Sequence, residues 1–143
     1  MTDISVITTS SQVEKRSWLI PQPGGIGYGF TQSIVLDVSA FTAGTHYPNG
    51  YIPSGTVLGK ITATGLYAPY NDALADGTQT AAGFLFSAVK VPNPLDTTKD
   101  VGGALLSAYA VVKTSKLPFT SGTGFLDANG QTDVKANFIF LIA

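Results

Sequence analysis

Ile52-Pro53-Ser54-Gly55-Thr56-Val57-Leu58-Gly59-Lys60-Ile61-Thr62-Ala63-Thr64-Gly65-Leu66-Tyr67 is the stretch that decides the fold class. Gly55, Gly59 and Gly65 punctuate short runs rich in Val, Ile and Thr, which is how a compact sheet with tight corners is written. Thr56 to Thr64 predicts two very short strands broken at Gly59-Lys60. Tyr67 to Thr80 reads as loop, with an Asx-type turn at Asp72 and a hairpin turn at Asp76-Gly77, a dipeptide suited to positive φ. A strand is predicted to follow, from about Ala82 to Val91. Its large apolar residues fall on both faces from Phe84 onward, which places it mid-sheet, and Pro92 to Pro94 stop it.

Composition bounds the reading. At 143 residues and 14.8 kDa the chain suffices for one domain with a sizeable core. Hydrophobic residues make up 44%, which excludes a disordered chain, and charged residues only 12%, about half the roughly 25% of an average soluble protein. A formal net charge of −1 with scattered signs gives no footprint for nucleic acid or anionic membrane, so neither is expected as a partner. So neutral a surface suits a structural protein that keeps much of its area against partners; a free monomer would risk association. The absence of cysteine excludes disulfides and thiolate chemistry. Asp3 stands where an export signal carries positive charge, and the longest apolar run, Phe138 to Ala143, is far short of the ~20 residues that cross a bilayer. A soluble protein made in a cytoplasm is expected.

Working upstream from the opening stretch, Ile34 to Val38 is a β-branched run that reads as a strand buried on at least one face. Ser39 to Pro48 is a loop holding Phe41, Tyr47 and the single histidine, His46, which is expected to be solvated or locally hydrogen-bonded; Asn49-Gly50 closes it with a turn. Residues 1–32 form a separate unit, an extended arm with a glycine-rich hinge at Gly24 to Gly29. Ile4 and Val6 alternate as a half-buried strand does, Ile7 follows, and Trp18-Leu19-Ile20 needs something to bury it. Two readings stay open. The arm folds back on its own domain or frays, or it adds to a neighbouring chain by main-chain pairing.

Downstream, Leu95 to Asp100 is a polar connection and Gly102-Gly103 a corner. Ala104 to Val112 admits a helix or a strand, and Tyr109, Val111, Val112 and the flanking glycines favour the strand. The chain leaves the sheet over Lys113 to Phe119, and Thr120 to Gln131 is loop-like. Phe138-Ile139-Phe140-Leu141-Ile142 reads as a strand apolar on both faces, which must be central or covered by another subunit. The fold expected is mainly β: a small twisted, barrel-like sheet with few or no short helices over residues 33–143, preceded by the arm. An oligomer is expected from the last strand, the arm and the low charge together.

The ordered set Pro53, Gly55, Thr56, Val57, Leu58, Gly59, then Gly65, Tyr67 and Tyr70, then Asp76-Gly77, then Gly83 and Leu85 resembles the head decoration proteins of tailed bacteriophages. The resemblance implies a non-enzymatic cementing protein on the outer capsid surface of the virion, bridging subunits of the major capsid protein and reinforcing the shell. It implies a homotrimer, and it requires no cofactor. It favours strand addition by the arm, with Ile4, Val6, Ile7, Trp18, Leu19 and Ile20 as the capsid-binding residues. Many members carry an amphipathic helix before the last strand. Nothing from Thr120 to Asn137 shows that periodicity, and at most Asp133 caps one short turn.

Catalytic signatures are lacking. No nucleophile elbow, phosphate loop, zinc motif or dinucleotide fingerprint is present, and Asp72 and Asp76 lack the ligand alternation of a calcium loop. A second reading from a different class is a β-rich carbohydrate- or receptor-binding module of a phage fibre, with Tyr28, Tyr47, Tyr51, Tyr67 and Tyr70 as stacking platforms. The same tyrosines are equally ordinary strand residues.

Overall fold

The computed structural model describes residues 15–20, 30–93 and 96–141. Ten strands follow in chain order: β1 (Leu19–Ile20), β2 (Phe30–Leu36), β3 (Tyr51–Ile52), β4 (Val57–Lys60), β5 (Tyr67–Pro69), β6 (Ala81–Leu85), β7 (Val89–Lys90), β8 (Val101–Ala108), β9 (Ala110–Lys113) and β10 (Phe138–Leu141). Two short helices, α1 (Ala43–His46) and α2 (Ala128–Val134), and two 3-10 turns complete the described elements. The protein is therefore mainly β, as its composition and punctuation predict.

Strands β2-β5-β4-β6-β8 follow one another round a ring. Between β2 and β5 the ring closes through one residue pair, Leu36 with Tyr67, so it is a strongly twisted sheet brought round on itself rather than a barrel zipped along its whole length. A second sheet, β1-β9-β10, packs beside it, and β3 and β7 form a small ribbon.

Period-two alternation builds two cores from the same strands. Leu58, Leu85, Leu105, Leu36 and Tyr67, drawn from all five ring strands, pack together inside the ring. Their neighbours Val57, Phe84 and Leu106 point outward and are covered by Trp18, by Leu19, Val112 and Phe138 of the second sheet and by Val134 of α2. β4 and β6 are thus apolar on both faces because both faces are buried, whereas β2 is exposed at Thr31, Gln32, Ser33 and Val35. Gly83 marks where two of them press closest: its φ is +156°, and a Cβ there would collide with the carbonyl oxygen of Leu106.

Several local expectations are corrected. The predicted pair of strands over Thr56 to Thr64 is one strand, β4, irregular between Leu58 and Gly59; Ile61 to Gly65 turns back instead, and the expected loop from Tyr67 begins as β5. The single strand from Ala82 to Val91 is two, β6 and β7, in different sheets. Asp76-Gly77 does not close a hairpin, because β5 and β6 both pair with β4; Asp76 accepts from the amide of Thr78 at 3.0 Å. The Asx turn expected at Asp72 belongs to Asn71, whose Oδ1 accepts from Ala73 N at 3.0 Å. Ala104 to Val112 is strand, interrupted at Tyr109.

The helix α2 corrects the expectation of loop. Asp127 caps it, its Oδ1 accepting from Gly130 N at 2.7 Å. Gly130 and Val134, one helical turn apart, are its buried positions. Asp133 sits within the helix and accepts from Ala81 N at 2.9 Å, tying α2 to β6. Among the described residues no helix is long and apolar enough to cross a membrane.

Candidate functional site

The decoration-type residues form the scaffold of the ring. Pro53 to Thr56 is a corner closed by the Thr56 hydroxyl, which donates to Pro53 O at 2.8 Å, and it is zipped to the end of β6 by Gly55 N to Leu85 O at 2.8 Å and Leu85 N to Thr56 O at 2.9 Å. Val57, Leu58 and Leu85 are buried, and Gly59 lies against Thr78. Tyr67 and Tyr70 are also buried. The hydroxyl of Tyr70 donates to Asp127, and burial together with that carboxylate holds its acidity well below that of a free phenol. Gly65 and Gly77 hold turns at positive φ.

The arm residues divide. Trp18 and Leu19 lie in the outer core, as the folded-back alternative has them; Ile20 pairs with Val111 and is half-buried. The Trp18 indole donates to Ser54 Oγ at 3.1 Å and stacks on Phe84 at 5.3 Å. Gly55, at φ +95°, gives it room: a Cβ there would stand 2.9 Å from Trp18 Nε1 and from Pro118 Cδ. Arg16 fastens the same segment through Nε to Phe86 O at 3.0 Å, with its guanidinium over the Phe86 ring at 4.3 Å. Ile4, Val6, Ile7 and the hinge at Gly24 to Gly29 lie outside the described residues.

One surface stands out for its chemistry. Phe30, Tyr109 and Ile139 are 62%, 65% and 64% exposed, and the rings of Phe30 and Tyr109 meet at a tilt, their centroids 5.2 Å apart. They gather where β8 passes into β9. Tyr109 makes that break with φ +59°, a left-handed conformation unusual for a non-glycine residue, and its amide donates to Asn137 O at 2.8 Å. Beside it lies a shallow cavity of about 370 Å³ lined by Tyr109, Val111, Lys135, Asn137 and Ile139 among others. β10, expected to be central or covered, is an edge of its sheet, pairing with β9 alone among the described strands.

His46, expected to be solvated or locally hydrogen-bonded, is locally hydrogen-bonded and buried, 2% exposed. Thr42 N donates to its Nδ1 at 2.8 Å, which leaves the proton on Nε2 to face Thr123 O and Oγ1 at 3.2 and 2.8 Å. Phe41 and Phe119 meet the ring edge-on. Burial holds its pKa below the usual imidazole value. The aromatics flanking it in sequence, Phe41 and Tyr47, were the available signal. Among the tyrosines proposed as sugar platforms, Tyr47, Tyr67 and Tyr70 are buried and Tyr51 half-buried; Tyr28 lies outside the described residues.

The fold is a small twisted β-ring with buried tyrosines and, among the described strands, an edge at β10. Residues 26–137 match the family model described as bacteriophage lambda head decoration protein D, and the chain belongs to that family of phage head decoration proteins. No curated protein and no solved structure matched.

Proposed function

We propose that the protein cements a phage head from outside, each copy bridging neighbouring subunits of the major capsid protein, and that it does so as a homotrimer. The observation that carries this reading is the apolar edge of β10 with the exposed Phe30, Tyr109 and Ile139, in a chain of the decoration family. An edge of that kind needs a protein neighbour. Residues 1–14 form the capsid-binding arm, with Ile4, Val6 and Ile7 as anchors, and Trp18 to Ile20 root that arm in the domain. Stabilisation is then mechanical: rupture or expansion of the shell has to break the contacts of many bound copies as well as those of the coat.

The test is quantitative mass spectrometry of purified virions. A copy number comparable to that of the major capsid protein is expected, and a few per cent of it rejects the reading. Removing residues 1–14 should leave the folded domain and abolish saturation of capsids; undiminished affinity rejects the arm as anchor.

A further inference from the structure

The loop between β5 and β6 carries Asp72-Ala73-Leu74-Ala75-Asp76, an apolar centre with a carboxylate on either side. Leu74 is 48% exposed. A single exposed leucine is ordinary, but this one is held out by a loop pinned at four points. Asn71 N donates to Thr78 O at 3.0 Å across its base, and Thr62 N donates to Asp76 O at 2.9 Å. Ala73 N donates to Asn71 Oδ1 at 3.0 Å, and the Asn129 side chain donates to Asp72 Oδ2 at 2.7 Å. The leucine is therefore presented in advance, and contact costs little further ordering.

A cavity of about 330 Å³ has the complementary character. Pro53, Pro118 and Ala88 give it apolar walls, and the two charged residues that line it are Lys15 and Lys116, both exposed. Its walls are fixed as well. Ser54 Oγ donates to Phe86 O at 2.7 Å, Arg16 donates to Ser87 Oγ at 3.0 Å, and Lys113 N donates to Trp18 O at 2.6 Å. The loop lies where β4 ends and β6 begins, whereas Pro53 precedes β4 and Ala88 follows β6. Some ~14 Å of strand thus separates the two, and a copy cannot bring its own leucine to its own cavity.

We infer that Leu74 of one copy seats in this cavity of a second copy, with Asp72 and Asp76 facing Lys15 and Lys116. The inference deepens the homotrimer reading and rests on it. Charge complementarity selects the occupant: in a chain with only 12% charged residues, acids flank the knob and bases flank the hole. Because knob and hole are different surfaces, the contact is heterologous, and repeated by rotation it closes into a ring. Three copies then make three identical contacts, each giving one leucine and receiving one. Phe30, Tyr109 and Ile139 belong to neither surface.

Sedimentation equilibrium of the full chain, free of capsids, tests the contact. The native chain should form trimers. Leu74→Ser changes an exposed side chain, so the unfolding midpoint of the monomer should hold while association weakens about tenfold or more. Asp72→Lys with Asp76→Lys, or Lys15→Glu with Lys116→Glu, sets like charges face to face and should weaken association by roughly tenfold or more. The chain that carries all four charge reversals should regain trimers, which a merely structural role for these residues would not produce. Trimers indifferent to Leu74→Ser and to the lysine pair overturn the inference and leave the homotrimer standing, its copies meeting elsewhere. A native chain that stays monomeric at every concentration overturns the contact too, while the copy number on virions still decides the cementing reading.

Discussion

The hydroxyl of Tyr70 donates to Asp127 Oδ1 at 2.9 Å, and the same oxygen accepts the Gly130 amide that opens α2. One carboxylate oxygen therefore joins the residue that follows β5 to the helix that covers the outer core. Tyr70→Phe keeps the ring and removes one hydrogen bond, for a cost of about 1 kcal/mol. Asp127→Ala also removes the cap and leaves a buried hydroxyl without its partner, so about 2–3 kcal/mol is expected. Urea unfolding measures both, and the double variant should lose less than the two single losses added.

Trp18 gives the sharpest test of where the arm ends. Its indole is buried against Phe84 and Ser54, so Trp18→Ala should cost about 3–5 kcal/mol. As the single tryptophan, it should emit as a buried indole in the free protein. Emission at the wavelength of a solvated indole would remove residues 15–20 from the domain.

His46 makes stability depend on acid. In the fold Nδ1 accepts from Thr42 N, so a proton there has no acceptor, and burial lowers the folded pKa below 6.5. The unfolded chain therefore binds the proton first as pH falls. Stability contributed by neutral His46 is fully present above about pH 6.5 and is lost as pH drops towards the folded pKa, by at most about 1.4 kcal/mol per pH unit. Denaturation midpoints from pH 7.5 to 5 should show this slope in the native sequence, and His46→Gln should flatten it while lowering stability at pH 7.5.

Tyr109 separates stability from binding. Relief of its left-handed backbone should let Tyr109→Gly stay within about 1 kcal/mol of the native chain, because the ring it removes is exposed. Co-sedimentation with capsids should nevertheless fall. A variant that binds fully would remove the Phe30 and Tyr109 pair from the contact surface.

The ring was legible because its corners are chemical. Gly55 and Gly83 stand where a Cβ has no space, and Leu58 beside Val57, or Leu85 beside Phe84, announces strands buried on both faces. The helix α2 was hidden because Asn129-Gly130 is written like a turn; only the cap at Asp127 and the one-turn spacing of Gly130 and Val134 mark it, and the space at Gly130 is filled by Tyr70, distant in sequence. The local hydrogen bond of His46 was legible, and its burial was hidden for the same reason. Its partners Thr123 and Phe119 lie far along the chain, and no local pattern brings them near. The edge position of β10 was equally out of reach, since a strand apolar on both faces reads alike at the middle of a sheet and at a protein contact.

Strand β9 is held on one side by residues 19–20 and on the other by residues 138–141. The two extremes of the described chain meet on it, so the second sheet has the longest loops of the fold to close. A nascent chain cannot complete this sheet until residues 138–141 have left the ribosome. Until then Phe84 and Leu106 lack the part of their cover that Phe138 supplies, and β9 lacks its second neighbour. A copy interrupted before residues 138–141 therefore keeps β9 paired on one side only, with residues 19–20.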